Sequence, residues 1–217
     1  MKEDELRRLA KKIGFDVATL EKDYALTWLL NVIYSDDSKL KTLLIFKGGT
    51  AIRKVYFPEW RLSEDLDFTI LAEVAPQNVK QGFEEAFTLL NKRSNILYSL
   101  RSFNASAYAI LADVQFLGPL QFKNRIAHDI SLKEKLVEEP EWKEVKSTYE
   151  DIPKFQILTY TLNEIFVEKI RSILQRGKAR DYYDVWRLLK EGNFDLKRIK
   201  DLLINKCKLT GIVLRIR

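Results

Sequence analysis

The sequence contains very few of the residues that build disulfides or zinc sites. Its 217 residues include one cysteine, Cys207, and one histidine, His128. A single cysteine cannot close an intramolecular disulfide, and one cysteine with one histidine cannot make a cysteine and histidine zinc site. Any bound metal must therefore be held by carboxylates.

Long apolar runs are also missing. No segment approaches the roughly 20 apolar residues that a membrane-spanning helix needs, and the N-terminal MKEDELRRLAKKIGFD has no apolar signal-peptide centre. Hydrophobic residues still make up 46% of the chain, enough to fill a core. We expect a globular protein in the cytoplasm that does not act at a membrane.

The charge balance is mildly basic. Lysine and arginine number 37 against 31 aspartates and glutamates, for a formal charge of +6. This excess is compatible with an anionic partner such as RNA, and equally with a solvated, lysine-rich surface.

Sequence periodicity predicts helices towards both ends of the chain and strands between them. Helical spacing of apolar residues occurs in 1–34, with a break near Gly14, and in 50–56, 78–92, 161–175, 180–191 and 196–207. Strand-like runs occupy 41–46, 66–70, 96–103, 107–116 and 124–132, of which 107–116 is ambiguous between strand and helix. Residues 133–151 read as irregular, and 155–160 fit a strand or the lead-in to a helix.

These elements predict the α+β fold class, with a mixed β-sheet, flanking helices and a helical C-terminal portion. We expect residues 1–151 to form the α/β core together with the N-terminal helices. Residues 152–217 are then a mainly helical portion packed on that core.

A pair of aspartates in one strand is the first candidate site. Asp65 and Asp67 are two positions apart, so in a strand their side chains project from the same face. Two close carboxylates repel each other unless a cation lies between them, and magnesium prefers such hard oxygen ligands. The alternative is that both aspartates simply face water at the end of a strand.

The preceding turn favours the magnesium interpretation. Gly48, Gly49 and Thr50 lead from a predicted strand into a predicted helix, where backbone N–H groups and a hydroxyl can meet a phosphate. Ser63 offers a second hydroxyl just before the aspartates. We expect these four residues to bind a nucleotide, although any tight strand-to-helix turn could use the same glycines.

A third carboxylate is expected if the site holds two metal ions. Asp129 is the candidate, since strand alternation places it with Ala127 and Ser131, away from the apolar face that includes His128. An aspartate on a surface strand is the alternative. We interpret His128 as a packed residue and not a catalytic one.

Two late helices carry further candidates. Lys169 shares a helix face with apolar residues, so it either reaches solvent along that face or meets a phosphate or carboxylate in a cleft. Asp181 and Asp184 open the next helix. Asp181 is readily explained by the helix dipole, whereas Asp184 could orient Lys169 or act as a base.

These segments resemble the AbiEii/AbiGii-type nucleotidyltransferases, toxins of bacterial and archaeal toxin–antitoxin pairs in the DNA polymerase β-like nucleotidyltransferase superfamily. The resemblance covers about residues 20 to 190. It rests on LEKDY at 20–24, FKGGTAI at 46–52, RLSEDLDF at 61–68, DIS at 129–131, EKIR at 168–171 and RDYYD at 180–184. One departure is that the superfamily's first motif often reads Gly-Ser, whereas here the serine is displaced to position 63, which leaves the phosphate contacts unassigned.

The resemblance implies a role for each matching residue. Gly48, Gly49 and Ser63 would approach the nucleotide phosphates while Asp65 and Asp67 hold Mg²⁺. Lys169 would contact the nucleotide. Asp184, or alternatively Asp181, would be the late essential aspartate, and Asp129 the third carboxylate.

The function implied is Mg²⁺-dependent transfer of NMP from an NTP to an acceptor hydroxyl. The acceptor implied is RNA, such as a tRNA end, and a toxin of this kind has a cognate antitoxin protein as partner. Two alternatives stay open. One is transfer to a hydroxyl of a protein or small molecule, and the other is a non-catalytic regulator that binds nucleotides.

Overall fold

The structure, a computed structural model, describes residues 1–211. The chain divides into two compact units. The first comprises residues 1–133 and 142–158, and the second, among the described residues, comprises 134–141 and 159–211. The predicted division into a core of residues 1–151 and a helical portion of residues 152–217 stays a prediction.

Two N-terminal helices belong to the first unit. Helix α1, Glu3–Ile13, ends at Gly14, whose φ of +73° is the left-handed conformation common after helices. Helix α2, Val17–Ile33, begins after Asp16, whose side chain accepts a hydrogen bond from the backbone N–H of Thr19. Most of α2 is buried, including polar residues on which the candidate site depends.

The first unit is built around a mixed sheet. Within the described residues its seven strands are β1 Ile45–Lys47, β2 Leu66–Thr69, β3 Leu97–Ala105, β4 Ala109–Leu117, β5 Lys123–Ser131, β6 Glu141–Glu144 and β7 Gln156–Thr159. They lie in the order β3-β4-β5-β2-β1-β7-β6. Strands β2 and β5 run parallel, while β1 with β2, β3 with β4 and β4 with β5 run antiparallel.

Two helical segments separate these strands. Gly48–Ala51 forms a short helix, α3, that continues as one turn of π-helix over Ile52–Tyr56. Helix α4, Pro76–Arg93, starts with proline at a position that needs no backbone N–H. Helix α4 contacts α2 and β3, and its buried residues include Phe83, Phe87 and Leu90.

Three helices make up most of the second unit. Helix α5, Leu162–Arg176, is capped by the hydroxyl of Thr161 and ends at Gly177 with φ +57°. Helix α6 is Ala179–Glu191, and helix α7, Leu196–Thr210, starts at Asp195, which accepts hydrogen bonds from two backbone N–H groups. Helix α5 contacts both α6 and α7, and Phe166 of α5 stacks on Phe194 at a ring distance of 4.3 Å.

The predicted α+β class with a mixed sheet and flanking helices is confirmed. One local prediction is wrong, because the charged stretch that reads as irregular contains β6. A four-residue edge strand needs little apolar alternation, so the sequence pattern does not identify it. No helix within residues 1–211 is long and apolar enough to cross a membrane.

Candidate active site

The turn after β1 brings its first glycine directly against a carboxylate of β2. Gly48 has a φ of +81°, a left-handed conformation that glycine adopts without steric cost. A β-carbon added to Gly48 would lie 2.1 Å from Oδ2 of Asp67 and 2.9 Å from its Cγ, closer than real contacts allow. The register explains this approach, since Lys47 at the end of β1 is opposite Asp67. Position 48 therefore requires glycine.

The second glycine faces a hydroxyl and a guanidinium. A β-carbon added to Gly49 would lie 3.3 Å from Oγ of Ser63 and 3.4 Å from Nη2 of Arg61. Both groups can donate hydrogen bonds to a phosphate. Arg61 is a site residue that the sequence did not predict. The only signal for it is its position two residues before Ser63.

Thr50 connects the turn to the acidic segment. Its side chain is buried, and its hydroxyl donates a 2.7 Å hydrogen bond to the backbone carbonyl of Asp65. A hydroxyl has one proton to donate. In this arrangement Thr50 therefore positions Asp65, and its predicted contact with a nucleotide phosphate stays a prediction.

The three predicted metal ligands lie on neighbouring strands. Asp65 directly precedes β2 and is exposed, Asp67 is half-buried within β2, and Asp129 is exposed on β5. In the parallel pairing of β2 with β5, Asp67 is opposite Asp129. Residues paired in this way point to the same face of a sheet. The fold therefore places the carboxylates of Asp67 and Asp129 side by side on one face.

The donor chemistry of this region fits magnesium. Residues 1–211 include no group of three or more histidine, cysteine, aspartate or glutamate side chains arranged to hold a metal ion. Magnesium usually takes one or two protein carboxylates and completes its shell with water and substrate phosphates. Asp65 and Asp67 would supply such a pair, and the ligand roles of Asp65, Asp67 and Asp129 all stay predictions.

Helix α2 is tied to both sides of this site. Lys22 forms a 2.8 Å ion pair with Glu64, the residue before Asp65. The next residue, Asp23, forms a buried 2.7 Å ion pair with Lys54 in the π-helix that follows the glycine turn. Burial lowers the pKa of Lys54 below its ordinary value, and the Asp23 carboxylate partly offsets this. The only sequence signal for these ties is the charge placed in an otherwise apolar helix.

His128 is packed inside the first unit. It is 2% exposed, and its ring lies between those of Phe68 and Phe83 at centroid distances of 6.3 and 5.4 Å. Burial lowers its pKa to about 4, although a hydrogen bond with the Ile126 carbonyl acts in the opposite direction. The imidazole is therefore neutral near pH 7.

The second unit brings Lys169 and Asp184 together. Nζ of Lys169 lies 2.9 Å from Oδ2 of Asp184, and the two side chains are 12% and 0% exposed. Asp184 thus orients Lys169, one of the two roles considered for it. A catalytic role for either residue stays a prediction.

Asp181 has a different partner. Both of its carboxylate oxygens accept 2.9 Å hydrogen bonds from the guanidinium of Arg176. Although burial alone raises it, these bonds and the arginine charge hold the pKa of Asp181 below its ordinary value. This arrangement gives Asp181 a structural role at the junction of α5 and α6.

Helix α7 contains a buried lysine that the sequence did not predict. Lys206 is fully buried, with Nζ 2.6 Å from Glu168, 2.8 Å from Glu164 and 3.4 Å from Glu134. Burial alone lowers its pKa, but the glutamates, with Glu168 the largest contributor, raise it above the ordinary value. Lys206 is therefore charged and holds α5, α7 and residues 134–141 together.

A solved structure shares this mixed sheet with flanking helices. The fold is similar to that of MenT4, a nucleotidyltransferase toxin from Mycobacterium tuberculosis H37Rv, with a TM-score of 0.69 and 17% sequence identity. The similarity covers 97% of this chain and 71% of MenT4. No curated protein sequence matches this chain.

The sequence itself identifies the family. The family model for the nucleotidyl transferase AbiEii toxin of type IV toxin–antitoxin systems matches residues 31–214. This match spans most of the chain, so the protein belongs to the AbiEii family and is a nucleotidyltransferase. The family resemblance noted in the sequence is confirmed.

Proposed function

We propose that this protein is a Mg²⁺-dependent toxin that transfers NMP from an NTP to an RNA hydroxyl, such as that of a tRNA end. It would act in the cytoplasm, where NTPs and tRNA are available, and a cognate antitoxin protein would restrain it. The observation that carries the proposal is the contact between Gly48 and Asp67. The glycine turn, which would bind the phosphates, lies directly beside a carboxylate that would hold a metal ion.

Each group at this site has a proposed task. Asp65 and Asp67 would hold Mg²⁺, which when bound offsets negative charge on the phosphoryl group in transfer. The Gly48–Gly49 backbone, Ser63 and Arg61 would bind the phosphates that leave as pyrophosphate. Asp129 is proposed as the third carboxylate.

Two residues of the second unit have roles that the family resemblance implies. Lys169 would be the nucleotide-contacting lysine, and its ion pair with Asp184 would hold the ammonium group in place. The reaction is an in-line displacement. The acceptor oxygen forms a bond to the α-phosphorus, the bond to the β-phosphate oxygen breaks, and the hydroxyl proton is lost to water.

A labelling experiment tests the function. Each α-labelled NTP is incubated with the protein and Mg²⁺, in the presence of purified total tRNA or of cell lysate, and the products are separated by size and by nuclease and protease treatment. We expect label in RNA, with release of pyrophosphate, and loss of both when Mg²⁺ is chelated. Label in a protein or small molecule would replace the RNA acceptor. NTP binding without pyrophosphate release would indicate a regulator.

Matched variants test the metal site. Asp65→Asn and Asp67→Asn keep the side-chain size but remove the charge, and each should lower transfer by roughly 100-fold or more. Asp36→Asn is the control, because that carboxylate is 95% exposed in a loop after α2. Full activity in Asp67→Asn would refute the metal assignment.

A further inference from the structure

One face of the sheet continues from the aspartates of the site onto residues of β5, β4 and β3 that the proposed function does not use. Along β5 the exposed residues alternate with buried ones, so that Asp129, Ala127 and Arg125 share the outer face. Four residues of a strand extend about 13 Å. Arg125 therefore lies about 13 Å from Asp129 on the same open surface.

Two arginines on this face share one carboxylate. Nη1 of Arg125 lies 3.4 Å from Oδ2 of Asp113, and Nη1 of Arg101 lies 3.7 Å from the same oxygen. Both arginine side chains are more than 60% exposed, whereas that of Asp113 is 18% exposed. Two cations that face one anion leave a net positive charge at the surface.

The backbone aims these groups at one place. Asp113 in β4 is opposite Ala127 in β5, which is two residues from Asp129. Since the side chain of Ala127 is a single methyl group, no large side chain stands between Asp113 and Asp129 at this position. On the other side, the register of β3 with β4 shifts between Leu100 and Ser102, so Arg101 is the extra residue of a β-bulge. Such bulges redirect side chains, and here the bulge brings Arg101 to Asp113.

Strand order separates this arginine pair from the glycine turn. In the order β3-β4-β5-β2-β1, the turn follows β1 on one side of Asp67, while Arg101 and Arg125 lie on β3 and β5 on the other. In-line transfer places the leaving pyrophosphate and the attacking hydroxyl on opposite sides of the α-phosphorus. If the turn holds the leaving phosphates, the arginines lie on the side from which the acceptor arrives.

We infer that Arg101 and Arg125 bind the phosphate backbone of a single-stranded RNA end and hold it across the open face of β3, β4 and β5. This inference rests on the proposed function for the identity of the acceptor. At about 3.4 Å per stacked nucleotide, the 13 Å from Asp129 to Arg125 correspond to about four nucleotides. The arginines therefore contact phosphates a few nucleotides from the reacting hydroxyl.

Two measurements on one set of variants test this inference. Arg101→Gln/Arg125→Gln is compared with Arg93→Gln, which removes another exposed arginine that is paired with a carboxylate, Asp37. Binding of total tRNA is measured from 50 to 200 mM salt without NTP, and KM values for tRNA and NTP are measured separately. Each single-strand phosphate contact contributes about 0.7 to the slope of log affinity against log salt.

We expect the double variant to lower that slope by about 1.4 and to raise the KM for tRNA severalfold, with kcat and the KM for NTP nearly unchanged. Arg93→Gln should change none of these. Asp113→Asn should act in the opposite direction, with tighter tRNA binding and a steeper salt dependence, because the arginines lose their shared anion.

The possible outcomes separate the two proposals. Transfer to RNA with an unchanged slope and KM for tRNA would overturn the inference and leave the function intact. A rise in the KM for NTP alone would assign the arginines to the triphosphate and overturn the inference. A lower slope in a protein that labels no RNA would support the RNA surface and refute the proposed acceptor.

Discussion

Replacing Gly48 by alanine tests the geometry of the site most directly. The substitution places a methyl group 2.1 Å from a carboxylate oxygen of Asp67 and 3.0 Å from its Cβ, so the whole side chain must move and not its tip alone. Contacts under 3.0 Å do not occur between real atoms of this kind. The carboxylate, or the turn, must shift by about 1 Å, and a shift of that size near reacting groups costs roughly 100-fold in rate.

The energetic cost has two parts. Alanine in a left-handed conformation costs about 1–2 kcal/mol, and the steric overlap adds about 1–3 kcal/mol. Gly14 provides the matched control, because its φ is +73° and an added β-carbon meets nothing within 4 Å. Gly14→Ala should therefore lose only the first part and keep full activity.

Chemical unfolding and NMP transfer measure the two effects. We expect Gly48→Ala to lose roughly 2–5 kcal/mol of unfolding free energy and about 99% of its transfer activity. In the double variant Gly48→Ala/Asp67→Ala, most of the overlap disappears, so the stability losses should not add and activity should stay absent. Equal stability of Gly48→Ala and Gly14→Ala, with activity within about threefold of the unmodified protein, would refute the reasoning.

Three further predictions concern buried titratable side chains. The pKa of His128 is about 4 in the folded protein and about 6.5 in the unfolded chain, so burial of the neutral ring stabilises the protein above pH 6.5 and this stability is lost as the pH falls. Between pH 7 and 4.5, His128→Leu should therefore lose about 2 kcal/mol less unfolding free energy than the unmodified protein. The same pH dependence of unfolding in both proteins would contradict this. Lys206→Met leaves three glutamates facing each other and should lower the free energy of unfolding by about 3–5 kcal/mol. Lys208→Met, at an exposed position of the same helix, should leave it almost unchanged. Similar losses in the two variants would argue against the buried cluster. Asp184→Asn should lower NMP transfer by roughly 100-fold because Lys169 loses its orienting partner. Asp181→Asn should mainly lower the thermal unfolding midpoint. The reverse pattern would make Asp181 the essential aspartate.

The sequence contains more information about the candidate site residues than about the residues that hold them in place. Asp65, Asp67 and Gly48 are recognisable because two carboxylates at the start of a strand and two glycines after another strand are locally unusual, whatever surrounds them. The same holds for Lys169, a charge on an apolar helix face. Such signals depend only on residues close in the chain, and sequence periodicity reports those contacts directly.

Other features depend on pairing between distant segments. That Gly48 touches Asp67 follows from the register of β1 with β2, and that Asp67 lies beside Asp129 follows from the parallel pairing of β2 with β5. The surface of Arg101 and Arg125 exists only because a bulge and two strand pairings bring both arginines to Asp113. The register of strands far apart in sequence is set by packing across the whole sheet, so no local pattern could reveal it.

The sequence by itself therefore determined the class of fold, the family and the residues capable of the chemistry, because each is written in local spacing and composition. Tertiary structure decided which of those residues meet. It tied Asp23 to Lys54 behind the turn, paired Lys169 with Asp184 while Asp181 took Arg176, and enclosed Lys206 among glutamates. An ion pair forms between charged side chains that folding brings close together, and for segments distant in sequence this closeness depends on how the whole chain packs.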